Sequence, residues 1–389
     1  MRPDAMRPEA MRPEATRPGV PAEDPGPRTV LDGARRVLVA RLDNLGDVLM
    51  TGPVFRALRE AVPDAELVLL GSPGGSAAAA LLPWVDRVQT LRAVWQDAQG
   101  RLPLDPAREL RAIDAIRGID ADAAIILTSF SQTPWPAAYA CYLAGIPIRA
   151  GHAADFGGSL LTHRAGPNAP VHQADRNLHV LRALDVAVHD PSLGARVPRQ
   201  AADVVSRLLA ERGLDGHTPP ILVLPGASCA ARRYPAERFA AAARLTRERT
   251  GLAVVVAGGE RERELTAAVA AAAPGALDLG GATDVGELAA LVARAAVVLA
   301  NDSFGMHVAD ALRVPVVTVF SGTDRETEWA PRDTASRTLR RSTTCAPCRL
   351  FECPIGLPCL DVPPEDVADA AVALLDGAGA RSEVLPCAG

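Results

Sequence analysis

Short runs of uninterrupted apolar residues recur along the chain, at 35–41, 66–72, 122–128, 219–226, 252–259, 295–302 and 314–320. They are continuous, not alternating, which is the pattern of strands covered on both faces. Between them lie longer, alanine-rich stretches with helical spacing, among them 48–62, 235–250, 260–273 and 285–294. Strand and helix taken in turn predict βαβ units and parallel sheets. The alternation breaks at about 186–219, where Pro191, Pro198, Gly213, Gly216, Pro219 and Pro220 surround one helical stretch. The domain boundary is expected there. The fold class is therefore α/β, with two doubly wound, Rossmann-like domains at 35–195 and 219–375 joined by a segment at 196–218. Such sheets bind ligands beyond the carboxyl ends of their strands, so a shared ligand would occupy the cleft between the domains.

The 389 residues suffice for two domains with full cores. The net charge of −5 and a pI near 5.9 argue against nucleic acid as partner and confine any anion site to a local feature. Every basic residue is arginine, which excludes Schiff-base chemistry and leaves guanidinium groups to bind phosphate. No apolar run is long enough for a transmembrane helix. Residues 1–34 begin with a degenerate Met-Arg-Pro repeat and lack the apolar core of an export signal, so a disordered tail and a cytoplasmic protein are expected, with a flexible tail again at 376–389.

Four segments carry candidate chemistry. The first strand runs into Arg41-Leu42-Asp43-Asn44-Leu45-Gly46-Asp47, where Gly46 permits a tight strand-to-helix turn and Asp47 reaches the cleft mouth. Asp47 could meet a substrate hydroxyl there, or serve as a helix N-cap, while Asp43 reads as a loop residue. The second domain's first strand ends in Gly226-Ala227-Ser228, followed by Arg232-Arg233-Tyr234-Pro235. A small-residue loop and paired arginines suit an anion, although an ordinary loop with solvated arginines has the same sequence. Asn301-Asp302-Ser303-Phe304-Gly305-Met306-His307 lies at another strand end, where a helix N-terminus offers amides and a positive dipole. His307 there could donate to phosphate or simply fill the core. Finally, Cys345, Cys348, Cys353 and Cys359 cluster within a loop at 345–359, which fits structural metal, disulfides or reduced thiols.

Taken in this order, over about residues 35–375, these segments resemble the glycosyltransferase family 9 proteins, the heptosyltransferase-like enzymes. RLDNLGDVLMTGPVFRALR looks like the family's opening strand and L-G-D turn, which puts its proposed catalytic aspartate at Asp47. PGASCAARRYP is similar to its phosphate-binding segment, so the family's lysine falls on Arg232 and its tryptophan on Tyr234. NDSFGMHVA resembles its N-D-S-G-P-M-H-L-A signature and carries donor contacts onto Asp302, Ser303 and His307, with Phe304 in place of glycine and Gly305 one position later. The resemblance implies a GT-B architecture whose last helix, at 363–375, packs back on the first domain. It also implies an inverting, metal-independent transfer from a nucleotide-diphospho-sugar, ADP-heptose by family precedent, to a glycan or lipid-linked acceptor, with no cofactor. A lipid-linked acceptor would bring the protein transiently to a membrane surface. Glu260, after Gly258-Gly259, is a candidate nucleoside contact by position in that fold, and the polar stretch at 172–176 lies near its acceptor side. A nucleotide-sugar 2-epimerase or a catalytically silent nucleotide-binding subunit remains the alternative.

Overall fold

The computed structural model describes residues 29–97, 100–166, 172–214, 217–377 and 381–385. The first sheet contains β1 (Arg36–Arg41), β2 (Glu66–Gly71), β3 (Arg87–Thr90), β4 (Ala123–Ile126), β5 (Ile148–His152) and β6 (His163–Ala165), in the order β3-β2-β1-β4-β5-β6. The second contains β7 (Ile221–Leu224), β8 (Val254–Gly258), β9 (Leu277–Gly280), β10 (Val297–Asn301), β11 (Val316–Val319), β12 (Ser336–Arg341) and β13 (Arg381–Leu385), ordered β13-β12-β11-β10-β7-β8-β9. All pairings in both sheets are parallel; Val39 of β1 is flanked by Leu69 and Ile125, and Leu299 of β10 by Val223 and Val317. Each apolar run read from the sequence forms a strand. Of the remaining strands, β3 (Arg-Val-Gln-Thr) and β6 (His-Arg-Ala) are short and polar because an outer strand is solvated and needs no continuous apolar run, while β5 and β12 are interior strands with mixed sequence.

The helices are α1 (Leu45–Leu49), α2 (Gly52–Ala61), α3 (Pro106–Arg117), α4 (Trp135–Leu143), α5 (Gln173–Arg182), α6 (Arg199–Glu211), α7 (Ala236–Thr250), α8 (Arg263–Ala272), α9 (Val285–Ala293), α10 (Phe304–Ala311), α11 (Glu326–Trp329) and α12 (Pro364–Leu375). The stretch expected as one helix at 48–62 is two, since Pro53 lacks the N–H of a continuing turn and starts α2 afresh. Among the described residues, no helix is long and apolar enough to cross a membrane.

One apolar core runs between the two sheets. It joins Val39, Val48 and Leu67 of the first domain to Leu222, Met306 and Val308 of the second. Helix α6, in the expected linker, is part of that core; Ala201 and Val205 are buried, and Pro198 and Ala201 pack on Gly286 of α9. The disordered N-terminal tail expected to reach residue 34 does not extend that far. Leu31 is fully buried and Val30 N–H donates to Leu184 O at 3.0 Å, because an apolar side chain at this point finds the core. Residues 1–28 of that tail lie outside the described residues. Within the segment expected as a flexible tail at 376–389, β13 extends the second sheet along the open edge of β12.

The last helix differs from expectation. α12 does not return to the first domain; Val367, Ala370, Ala371 and Leu374 form one apolar stripe against Phe239 and Ala243 of α7 and Val317 and Val319 of β11. Arg249 and Asp369 add an ion pair between α7 and α12. A stripe at this spacing buries most area on the nearest uncovered sheet face, which belongs to its own domain.

Candidate active site

The carboxyl end of β1 is closed by Arg41, whose side chain is wholly buried. Its Nε lies 2.9 Å from Asp43 Oδ2, and its Nη2 donates to Asp47 Oδ1 at 2.8 Å and to Ser129 Oγ at 2.7 Å. Asn44, not Asp47, is the N-cap of α1. Asp47 is the third helical residue and its Oδ2 accepts from Asn44 N–H at 3.2 Å, while its other oxygen faces Arg41 and, at 3.4 Å, Ser129 Oγ. The carboxylate thus serves the helix start and keeps its side chain 15% exposed, so the two sequence readings are not exclusive, although the wall of the cavity between the domains carries Asp43 and Asn44 and not Asp47. Asp43 is more than a loop residue. Burial pushes its carboxyl up against the opposing pull of Arg41, and its Oδ1 accepts from Gln132 Nε2 at 2.6 Å.

Across the cleft, Asn301 at the end of β10 organises the second domain's loops. Its Nδ2 donates to Pro225 O at 2.7 Å and its Oδ1 accepts from Tyr234 N–H at 2.9 Å, so one side chain binds both ends of the 225–234 loop. Tyr234 itself is buried, donates its hydroxyl to Val362 O at 2.6 Å and stacks edgewise on Phe239, which makes it an anchor. Arg233 donates to Ala227 O at 3.3 and 3.1 Å. Gly226 has a different neighbour from the one the sequence suggests, because a Cβ there would overlap the Glu262 carboxylate.

Arg232 pairs with Asp324, donates to Thr323 Oγ1 at 3.0 Å and lies 3.9 Å from Asp302. Burial works against its charge, but Asp302 and Asp324 outweigh it and hold the guanidinium above its usual value. Asp302 is 3% exposed and its Oδ2 has no hydrogen-bond partner; burial pushes its carboxyl up to about 6, against the pull of Arg232. Ser303 is the N-cap of α10. Phe304 opens the helix half-buried against the shared core, and Gly305 lets the helix meet Leu224, with which a Cβ would collide.

His307 joins the halves. Its ring rests on Gly46, where a Cβ would lie 2.7 Å from His307 Cδ2, so Gly46 is needed for this approach and its backbone is not left-handed. Burial pushes the imidazole down to about 4, opposed by Asp47, and the ring is neutral at physiological pH. The charge of Asp47 reaches Arg232, Asp302 and His307, so the first domain's carboxylate lies within electrostatic range of the second domain's anion-binding candidates.

A cavity of about 770 Å³ opens between the domains, lined by Asn44 and Gln132 on one side and Ser228, Arg233 and Arg261 on the other. Glu260 is not on its wall; it makes a surface pair with Arg263 at 2.6 Å, and its neighbour Arg261 faces the cavity instead. The cysteine loop contributes Phe351 and Glu352, and Phe351 O accepts from Ala231 N–H at 3.0 Å. Cys345, Cys348, Cys353 and Cys359 are free thiols, and among the described residues no group of three or more His, Cys, Asp or Glu side chains is arranged to hold a metal ion. Arg41, Asn301 and Asp324 escaped the sequence reading. A buried arginine at a strand end looks like a flanking charge until its neighbours are known.

Residues 110–357 match the family model of glycosyltransferase family 9 (heptosyltransferase). Over 148 residues the chain is 29% identical to lipooligosaccharide heptosyltransferase 2 of Haemophilus influenzae, a match that spans 36% of this chain and 42% of that protein. The fold is similar to a glycosyltransferase family 9 structure from Veillonella parvula, with TM-score 0.70 and 22% identity over 88% of this chain and 98% of the other. It is similar also to E. coli ADP-heptose LPS heptosyltransferase II, with TM-score 0.67 and 20% identity over 88% and 99%, and to E. coli heptosyltransferase WaaC solved with ADP-2-deoxy-2-fluoro heptose, with TM-score 0.60 and 16% identity over 88% and 99%.

Proposed function

The chain belongs to glycosyltransferase family 9, and from that premise we propose that it moves a heptose or related sugar from an ADP-linked donor to a hydroxyl of a glycan or lipid-linked acceptor, inverting the anomeric centre. The observation that carries this reading is the packing of Gly46, which precedes Asp47, on His307 of the second domain, which brings the Asp47 carboxylate within electrostatic reach of Arg232, Asp302 and His307. Asp47 itself precedes the matched segment, so its role rests on this geometry and on the L-G-D turn.

The acceptor oxygen attacks the anomeric carbon as the bond from that carbon to the diphosphate oxygen breaks. Asp47 takes the acceptor proton, and the negative charge leaves on the nucleoside diphosphate. Arg232 meets that charge, exchanging its contact with Asp324 for the diphosphate, while the 226–228 loop and the amides at 303–305 are the further donors. Asp302, with one oxygen unbonded, accepts a hydroxyl of the donor. Gly305, one place later than in the family pattern, lets the start of α10 pack against Leu224. The donor identity is supported by the ADP-sugar bound in the E. coli relative.

Asp47→Asn keeps the shape of the side chain and removes the base. Turnover should fall by roughly 10²- to 10⁴-fold. ADP at 100 times its dissociation constant should still stabilise the variant by about 2.7 kcal/mol in a thermal scan. Unchanged turnover removes Asp47 from the chemistry. A wild-type protein that answers to another nucleoside diphosphate and not to ADP changes the donor, and one that answers to none removes the donor site.

A further inference from the structure

Backbone hydrogen bonds pin the first half of the cysteine loop to the second domain. Cys348 N–H donates to Gly322 O at 2.9 Å and Arg349 N–H to Thr323 O at 3.0 Å, while Phe351 O accepts from Ala231 N–H at 3.0 Å. The Arg349 side chain adds ion pairs to Asp324 and, at 2.9 Å, to Glu328. Beyond these anchors, Phe351 and Glu352 line the cavity between the domains. Phe351 is 54% exposed, and Glu352 is exposed with no ion pair or hydrogen bond to its carboxylate among the described residues. Leu350 and Ile355 are exposed on the same loop and do not line the cavity. Single exposed apolar side chains are ordinary on a protein surface. An aromatic ring on a pinned backbone at a cavity wall, next to a carboxylate without a partner, is the combination of apolar face and placed polar group that holds a small ligand.

The pair has a definite chemistry. One face of a pyranose presents C–H bonds whose partial positive charge suits the negative face of an aromatic ring, and the hydroxyls at its rim donate to a carboxylate. A phosphate has no apolar face and is repelled by Glu352. Position assigns the subsite to the acceptor. The cavity's opposite wall carries Asn44 and Gln132, and Asn44 N–H donates to Asp47 at 3.2 Å, so the cavity adjoins the turn that holds the proposed base. Ala231, which tethers Phe351 O, immediately precedes Arg232. Phe351 is thereby tied to both parts of the reaction, across the cavity to the turn of Asp47 and through its carbonyl to the segment of Arg232.

Resting on the transfer reaction above, we infer that Phe351 and Glu352 form a subsite for the acceptor sugar, in which the ring stacks on the apolar face of an uncharged pyranose and the carboxylate accepts its hydroxyls. The second domain then contacts the acceptor as well as the donor, and the cysteine loop sets which acceptor ring fits. A ring with axial hydroxyls on the stacking face, or an open-chain polyol, loses the stacking.

The test uses the full chain with methyl β-D-glucopyranoside and the open-chain sorbitol as probes, titrated by saturation-transfer NMR with and without ADP, beside separate thermal scans with ADP. Wild-type protein should bind the glucoside at least about threefold more tightly than sorbitol. Phe351→Leu, which keeps apolar bulk but not the flat face, should erase most of that preference, and Phe351→Tyr should retain it. Glu352→Ala should weaken glucoside binding, and Glu352→Gln, which still offers an oxygen, should recover part of it. The ADP response should stay at the wild-type level in each of these variants. An undiminished preference in Phe351→Leu, or a wild type that binds glucoside no better than sorbitol, overturns the inference. So does an ADP response lost only in the Phe351 variants, which would put the nucleotide on the ring. Glucoside binding that vanishes in Asp302→Asn but persists in Phe351→Leu overturns it too, because the glucoside then occupies the donor's sugar position. Loss of the ADP response in the wild type sinks the donor reading instead, and the two failures are read from separate titrations.

Discussion

Asp302 is buried, one of its carboxylate oxygens has no hydrogen bond, and its carboxyl is pushed up to about 6 from an ordinary value near 3.8. Folding therefore favours its neutral form. The stability this contributes is fully present below about pH 4 and is lost as pH rises through about 6. Asp302→Asn removes the titration, so the melting temperature of the wild type minus that of the variant should shrink steadily between pH 4 and pH 7 in scans without nucleotide. A gap that stays constant, or that widens with pH, shows that another group titrates there. The sequence places Asp302 and Asp47 near strand ends, where chemistry is expected, Asp302 at the end of an apolar run and Asp47 one short turn beyond another. It does not show that Arg41 sits between two carboxylates, or that Arg261 faces the cavity while Glu260 faces solvent, since adjacent residues differ only in the direction their side chains take.

Among the elements, β10 matters more for its terminal residue than for its pairing. Asn301 ends the strand and holds the 225–234 loop by both ends. Asn301→Ala would leave Pro225 O and Tyr234 N–H buried without partners, at a cost of about 1–3 kcal/mol for each group. The expected result is a lowered melting temperature together with weaker ADP binding, because the loop that presents Arg232 loses its tether; full ADP affinity in a destabilised variant would show that the loop holds its shape unaided. The central strands were legible because burial on both faces imposes long apolar runs. The outer strands β3 and β6, and β12 between β11 and β13, were not, since short or polar sequence also describes loops. Helix α12 was legible as a helix but not in its address: its apolar stripe states that one face is covered, and only the packing of Phe239 and Val317 shows by what.

The whole molecule is held around a contact that has no room for a side chain. Gly46 and His307 come from different domains and meet at the distance of closest packing. Nearby, Arg332 bridges to Asp175 at 2.8 Å and His172 Nε2 donates to Ala330 O at 3.1 Å, so α5 is fastened to the second domain. Gly46→Val should wedge the domains apart, lowering turnover by about tenfold or more while ADP affinity changes little, because positioning of the acceptor against the donor is lost and the second domain's loops are not. Small-angle scattering should show a larger radius of gyration. Normal turnover would mean that the contact is not part of the catalytic arrangement.

The α/β class, the two parallel sheets and the strand ends where chemistry would fall could all be read along the chain, because they depend on local periodicity and on turn residues that act within a few positions. Which face α12 covers, which of two adjacent side chains reaches the cleft, and why position 46 must be glycine were settled only in three dimensions. Each of these depends on atoms from segments tens to hundreds of residues apart, and no local pattern encodes the distance between them.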